Sequence, residues 1–124
     1  MNNKRLGTAF EREFCELLAA RGFWVHFMSP SASGAQPCDI IACKDNTPYL
    51  FDCKTCEDNT FRISRVEENQ KLAFEKFFSR NNDNCFFAVK HNDNIYLIRW
   101  GNLKVFGKIK LLDNLLLDKW GFMQ

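Results

Sequence analysis

Charged residues interrupt two apolar segments of this chain that otherwise have the composition of β-strands. Asp39 lies between Cys38 and Ile40 in the first segment, and Asp52 and Lys54 alternate with apolar residues in the second. An unpaired charge is costly to bury, so such residues usually pair with one another, face water or bind a metal ion. The fold must therefore place both segments where their charged side chains find partners.

The residues between the two segments predict a β-hairpin. Residues 44–48 are polar and include a proline, which is typical of a turn. If the turn is centred between Asp45 and Asn46, Asp39 lies directly opposite Asp52, with Cβ atoms about 5 Å apart. Since alternate residues of a strand share a face, Lys54 projects from the same face as Asp52.

Two carboxylates this close repel each other unless a cation lies between them. Hard oxygen ligands favour magnesium or manganese over zinc. Lys54 would orient an attacking water or offset the charge of a phosphorane-like transition state. Glu11 and Glu13 lie at opposite edges of the apolar stripe of the preceding helix, and Glu11 adds a third carboxylate if that helix packs on this face. These groups suit metal-assisted hydrolysis of a phosphodiester, whereas the alternative is an ordinary ion pair on an exposed strand.

The rest of the pattern predicts one α/β domain over residues 1–124, with a mixed sheet and the order α-β-β-β-α-β-β. Ser64 and Glu67 have the spacing of a capping box, and Ile63 is placed to staple the entry of the second helix. The segment from Leu103 to Gln124 is apolar enough to dock on the domain. The predicted elements are a helix over 5–21, a strand over 23–28, a loop over 29–37, strands over 38–43 and 49–54, a helix from Ser64 to about Arg80, and a hairpin of 85–90 with 95–100.

Composition excludes several classes of protein. The start of the chain has no continuous apolar stretch typical of a signal peptide, and no apolar run is long enough to span a membrane, so we expect a cytoplasmic protein without membrane contact. Its six cysteines are then reduced thiols. Four of them have spacings that suggest zinc ligation, but the hairpin pairing separates Cys43 from Cys56, which favours buried or incidental thiols.

Charge alone does not identify a partner. Seventeen basic and fifteen acidic residues give a net charge of +2, so binding of a polyanion such as DNA would require the basic residues to be concentrated on one face.

The helical spacing of Phe74, Phe77 and Phe78 favours core packing, and the alternative is that an exposed ring inserts as a wedge into DNA. His26 and His91 have no Ser or Cys triad partner. The candidate phosphate contacts are Lys4, Arg5, Arg12, Arg62, Arg65, Lys71, Lys76 and Arg80.

Four motifs in this order resemble the PD-(D/E)xK nuclease superfamily, specifically Holliday junction resolvases of the RecU and Hjc type. Glu11 follows Gly7 by four residues, as in the helix-1 signature of these proteins. The other three motifs are Pro37-Cys38-Asp39-Ile40-Ile41-Ala42, Phe51-Asp52-Cys53-Lys54-Thr55 and the segment Phe61 to Gln70. The resemblance covers residues 4–100 and implies a restriction-endonuclease-like αβββαβ core with a central mixed sheet flanked by helices.

The resemblance also implies roles for individual residues. Glu11, rather than Glu13, would join Asp39 and Asp52 in ligating or supporting magnesium, for which manganese can substitute. The carbonyl of Cys53 would be a further ligand and Lys54 the catalytic lysine, while Gln70 matches a motif glutamine near the metal. The implied protein is a homodimeric, magnesium-dependent, structure-selective endonuclease that resolves four-way junctions in DNA recombination and repair.

The chain also differs from these families at defined positions. Asn69 replaces a histidine usual in RecU-type sequences, and the inserted stalk of that type is absent. Phe27 and Met28 occupy the region where Hjc-like enzymes place an arginine. Two alternatives therefore stay open: a restriction or repair endonuclease of the same superfamily acting on linear duplex, and a non-catalytic DNA-binding module.

Overall fold

A five-stranded mixed sheet forms the centre of the chain, as the sequence predicts. The structure is a computed structural model that describes residues 3–28 and 36–124, with the side chains of residues 3–8 excepted. The strand order is β1-β2-β3-β5-β6, in which β3 and β5 are parallel and the other neighbours antiparallel. These strands are β1 (Trp24–Phe27), β2 (Ile40–Lys44), β3 (Thr47–Thr55), β5 (Cys85–His91) and β6 (Asn94–Arg99).

The sheet is covered on both faces. The helices are α1 (Asn3–Ala20), α2 (Glu68–Phe78) and α3 (Trp100–Phe106). Phe10, Phe14 and Leu18 of α1 are buried against one face. Phe74 of α2 and Trp100 of α3 are buried against the other. None of the described helices is both long and apolar enough to cross a membrane.

The register of the hairpin agrees with the prediction from its turn. Ile40 lies opposite Phe51 and Lys44 opposite Thr47, so the turn is centred between Asp45 and Asn46. Both turn residues have positive φ, 51° and 64°, as a type I′ turn requires. Asp39 directly precedes β2, and the continued register places it opposite Asp52. The predicted loop before Asp39 lies largely outside the described residues, because residues 29–35 are not described.

The start of the second helix differs from its prediction. Ser64 lies in a short 3₁₀ turn, Ile63–Arg65, and α2 begins only after Glu67. The capping box consists of Glu67 and Gln70, each side chain bonded to the other residue's backbone N–H. The observed capping box therefore lies three residues after the predicted one, Ser64–Glu67. Phe61 is fully buried in a short strand, Thr60–Arg62, that pairs with Lys108–Lys110. This pairing fixes the path of the chain just after Arg62, so the helix begins later.

The C-terminal segment contributes more structure than its composition predicts. After α3, strand β7 (Lys108–Lys110) pairs with β4 (Thr60–Arg62) in a second, two-stranded sheet. Leu116 then forms an isolated antiparallel bridge with Tyr96 of β6. Leu117 and Met123 are buried in the same core cluster as α1. The segment therefore docks along β6 and completes the core.

Two leucines of this segment test the docking. Leu117 is 7% exposed and Leu112 is 54% exposed. Because removal of buried methyl groups leaves a cavity, Leu117→Ala should lower the free energy of unfolding by about 2–5 kcal/mol. The matched change Leu112→Ala should alter it by no more than about 0.5 kcal/mol. Urea denaturation followed by circular dichroism measures both, and equal effects would contradict the docked position of Leu117.

Candidate active site

A fully buried carboxylate lies at the centre of the predicted site. Asp52 has an exposed fraction of 0% in the middle of β3. Its Oδ1 accepts a hydrogen bond of 3.0 Å from the side-chain amide of Gln70. Its Oδ2 lies 3.0 Å from Nζ of Lys54 but accepts no hydrogen bond from any described residue. Burial, followed by the negative charge of Asp39, raises the pKa of Asp52.

Asp39 is held beside Asp52 by the backbone of the neighbouring strand. Its Oδ2 accepts a hydrogen bond of 2.8 Å from the N–H of Cys53. Its own N–H donates to the carbonyl of Phe51 at 3.2 Å. These two bonds hold the Asp39 carboxylate at the edge of β3. The predicted juxtaposition of Asp39 and Asp52 is thus present in the structure.

Gln70 connects the strand to the first turn of α2. Its side-chain oxygen accepts hydrogen bonds from Nζ of Lys54 and from the backbone N–H of Glu67, both at 3.2 Å. Its amide nitrogen donates to Asp52. Each polar atom of this amide is therefore used, and the Lys54 ammonium is held between the carboxylate and the amide. The Gln70 side chain, which completes the capping box with the N-cap residue Glu67, therefore also positions the lysine.

Glu11 reaches the same site from α1. It is half-buried and lines a cavity of about 270 Å³. Burial, followed by the charge of Asp39, raises the pKa of Glu11 to about 7, although Lys54 acts in the opposite direction. The other residues that line the cavity are Gln36, Cys38, Asp39, Cys53, Lys54, Glu67, Asn69 and Gln70.

Glu13 has a different role from Glu11. Its Oε1 lies 2.7 Å from Nζ of Lys90, which connects α1 to the C-terminal end of β5. The two glutamates that periodicity alone could not separate are therefore distinguished by their contacts. Glu11 faces the site, and Glu13 forms an ion pair outside it.

Four lining residues were not among the predicted site residues: Gln36, Cys38, Glu67 and Asn69. Nδ2 of Asn69 donates a hydrogen bond of 3.0 Å to the carbonyl of Gln36. This bond joins the start of α2 to the chain just before Asp39. Glu67 lines the cavity as the N-cap of α2. Its Glu-x-x-Gln spacing with Gln70 was the available signal, but Glu is not among the residues that N-cap rules favour.

The oxygen-rich donors at this site fit a hard divalent cation. Asp52 offers a buried oxygen, Oδ2, whose described partner is the Lys54 ammonium at 3.0 Å, and the Asp39 carboxylate lies beside it. Across residues 9–28 and 36–124, no group of three or more His, Cys, Asp or Glu side chains is arranged so that it could hold a metal ion. Magnesium does not require such a cage, because it keeps several waters and commonly uses one or two carboxylates plus substrate phosphate.

The predicted phosphate contacts are distributed around the site rather than in it. Arg62 pairs with Asp58 at 3.0 Å, and Arg65 donates to the carbonyl of Thr55 at 3.0 Å. Both arginines line a hollow of about 560 Å³ that begins at Thr55, the residue after Lys54.

The other candidate cations are further apart. Lys71 pairs with Glu68 at 3.4 Å on the exposed side of α2. Arg12 is exposed on α1. The backbones of Lys4 and Arg5 belong to α1, but their side chains lie outside the described part of the chain.

Comparisons with known proteins give matches in sequence and in fold. A model of the family described as archaeal Holliday junction resolvase (Hjc) matches residues 2–114. The crossover junction endodeoxyribonuclease Hjc of Methanocaldococcus jannaschii is 28% identical over 109 residues, which is 88% of this chain and 77% of that protein.

The fold is similar to that of a solved structure. The 1.6 Å structure of Hjc from Archaeoglobus fulgidus, a Holliday junction resolvase of an archaeal hyperthermophile, superposes with a TM-score of 0.64 at 18% identity. The alignment covers 86% of this chain and 87% of that one. At this level of identity the likeness establishes the fold.

Removing the Gln70 amide should destabilise the domain. In Gln70→Ala, Oδ1 of buried Asp52 loses its donor and the capping box is broken. An unsatisfied buried group and a lost cap together cost about 2–4 kcal/mol of unfolding free energy. The adjacent change Lys71→Ala removes only a surface ion pair and should cost less than about 0.5 kcal/mol. Chemical denaturation measures both, and a Gln70→Ala protein as stable as Lys71→Ala would contradict the network.

Proposed function

The chain belongs to the archaeal Holliday junction resolvase (Hjc) family, and from this premise we propose that it cuts four-way DNA junctions with the site around Asp39, Asp52 and Lys54. Family membership makes it a DNA endonuclease of recombination and repair. The observation that carries the site assignment is the buried carboxylate Asp52, paired with Lys54 and lying beside Asp39.

We propose that Asp39 and Asp52 hold a magnesium ion, for which manganese can substitute. The Cys53 carbonyl, adjacent to Asp52 on β3, and Glu11 at the cavity wall would complete or support its coordination. The ion would polarise the scissile phosphate and lower the pKa of a bound water. The fit rests on oxygen donors in a partly buried cavity and on the low ligand count that magnesium accepts.

Lys54 would stabilise the charge that develops on the phosphate. The ammonium is held by Asp52 and Gln70, so little reorganisation is needed when the phosphate becomes more negative. Its side chain is 14% exposed, and Lys54 lines the cavity that a phosphate would enter. Gln70 acts through Lys54 and Asp52 rather than on the substrate.

The DNA would extend from this cavity across the basic residues around it. Arg62 and Arg65 beside Thr55, Lys71 on α2, and Lys4, Arg5 and Arg12 on α1 are the proposed phosphate contacts. Each subunit supplies one site, whereas a four-way junction is resolved by two cuts related by symmetry. We therefore propose a homodimer, acting on DNA in the cytoplasm.

Cleavage assays on three substrates test this function. The wild-type protein should cut a four-way junction in the presence of magnesium and should leave linear duplex and single strand of the same sequence largely intact. Lys54→Ala and Asp52→Asn should each slow junction cutting by about 10²-fold or more, because the first removes the cation that stabilises the transition state and the second weakens the proposed metal site. Equal cutting of linear duplex would contradict the junction assignment, and no magnesium-dependent cutting of any substrate would contradict the enzymatic function.

The two glutamates of α1 provide a matched pair for the site assignment. Glu11→Gln should slow junction cutting by about 10-fold or more, because it removes a charge from the wall of the catalytic cavity. Glu13→Gln breaks the ion pair with Lys90 and should leave the cleavage rate near that of wild type. Single-turnover rates at saturating protein measure both. A larger loss in Glu13→Gln than in Glu11→Gln would contradict the assignment of Glu11.

A further inference from the structure

Strand β1 presents two aromatic rings that the core does not use. Trp24 is 63% exposed, and His26, two residues along the same face, is also exposed. The two rings are nearly parallel, with planes 10° apart and centroids separated by 6.2 Å. Val25 and Phe27, on the other face of β1, pack against the core beneath α1. The indole therefore has a defined orientation at the surface, because an aromatic neighbour supports it.

The sheet register places these rings on the same face as the catalytic groups. His26 lies opposite Ile41 of β2, and Ile41 lies opposite Leu50 of β3. Cross-strand partners share a face, and so do alternate residues of one strand. Trp24 shares that face with His26, and Asp52 shares it with Leu50. Asp39, two residues before Ile41, shares this face and lines the cavity, so a substrate that enters the cavity at Asp39 can continue along the sheet towards Trp24.

The same register gives the spacing between the rings and the site. His26 is level with Ile41, two residues from Asp39, which is about 7 Å along the strand. Trp24 is level with Cys43, four residues from Asp39, which is about 13 Å along the strand. Since successive nucleotides of a B-DNA strand rise by about 3.4 Å, these distances correspond to about two and four base steps.

Among the described residues, the cross-strand neighbours of Trp24 are exposed and uncharged. Cys43 lies directly opposite Trp24, and Pro48 lies opposite Cys43 on β3. Both are exposed, and neither carries a charge that would repel DNA. Helices α2 and α3 pack on β5 and β6 on this same face, at the end of the sheet opposite β1. A flat group can therefore approach the indole face.

We propose that Trp24, supported by His26, is a stacking platform for a base at the branch point of the DNA substrate. In a continuous duplex each base is covered on both faces by its neighbours, whereas a branch point interrupts this stacking and leaves base faces available. Stacking on an aromatic ring is favourable for any base, because every base has a π-face. The platform rests on the proposed function and deepens it, since it would favour branched over linear DNA near the scissile phosphate.

Binding measurements on substitutions of Trp24 test the platform. The affinities for a fluorescently labelled four-way junction and for a linear duplex of the same sequence are measured by anisotropy without divalent cations, so that no cutting occurs. Trp24→Ala and Trp24→Leu should each weaken junction binding by at least about five-fold, because about 1 kcal/mol or more of stacking is lost. Duplex binding should be unchanged, and Trp24→Phe, which keeps a ring, should restore most of the junction affinity.

Two controls separate stacking from other causes. Phe106→Ala removes a ring that is 68% exposed at the end of α3 and should not affect junction binding. The intrinsic fluorescence of the wild type should fall when the junction is added, and Trp24→Phe should lose this change. Trp100 is 3% exposed and Trp120 is half-buried, so Trp24 is the most accessible of the three indoles to a base.

Contrary outcomes have distinct meanings. Junction binding by Trp24→Leu at wild-type affinity, or equal losses for junction and duplex, would overturn the platform and leave the cleavage function in place. If sedimentation velocity shows that Trp24→Ala dissociates a wild-type dimer, the face is a subunit interface and the platform is overturned. If the wild type binds no DNA, the proposed function fails, and the platform fails with it.

Discussion

The burial of the Asp52 carboxylate is the constraint on which the rest of the site depends. A charge removed from water must be compensated by partners, or the group becomes protonated. Here the partners come from the same strand, in Lys54, and from the first turn of α2, in Gln70. The position of α2 on the sheet is therefore linked to the electrostatics of the site. Displacement of the helix would remove the amide donor from Asp52 and the acceptor from Lys54 together.

This arrangement explains why α2 begins where it does. Gln70 occupies the third position of the helix, where its side chain reaches back to the N–H of Glu67 and forward to Asp52 and Lys54. In a helix with Ser64 as its N-cap, Gln70 would lie in the second turn, where its side chain could not cap the first turn. Helix capping and the placement of the lysine are thus achieved by one amide group.

The sequence was sufficient for the parts of the fold that depend on local rules. The Asp45-Asn46 turn determines the hairpin register, and the register predicts that Asp39 and Asp52 face each other. Strands β4 and β7 were not predicted, because each has three residues and their pairing joins parts of the chain that are far apart in sequence. The capping box was misplaced because Ser64 and Glu67 satisfy the usual pattern, whereas tertiary pairing of Phe61 overrides it.

The assignment of site residues depended on a combination of signals. Parity and turn geometry brought Asp39, Asp52 and Lys54 together, but only the motif resemblance separated Glu11 from Glu13. The structure gives the physical difference between them, a cavity wall for one and an ion pair with Lys90 for the other. Hydrophobic periodicity indicates which side of a helix faces the core, but it does not indicate which distant residue a polar side chain contacts. It could therefore not have distinguished the two glutamates.

Strand β1 differs in character from the strand that the resemblance implies. Where Hjc-like sequences carry an arginine, this chain has Phe27 and Met28, and Phe27 packs towards α1. A cation contributes to DNA affinity through counterion release, and this contribution weakens as salt rises. An indole on the open face contributes through contact area, which salt affects little. With Trp24 rather than a cation on its exposed face, β1 would discriminate by the shape and stacking of the DNA, and the modest net charge of +2 is compatible with such a contact.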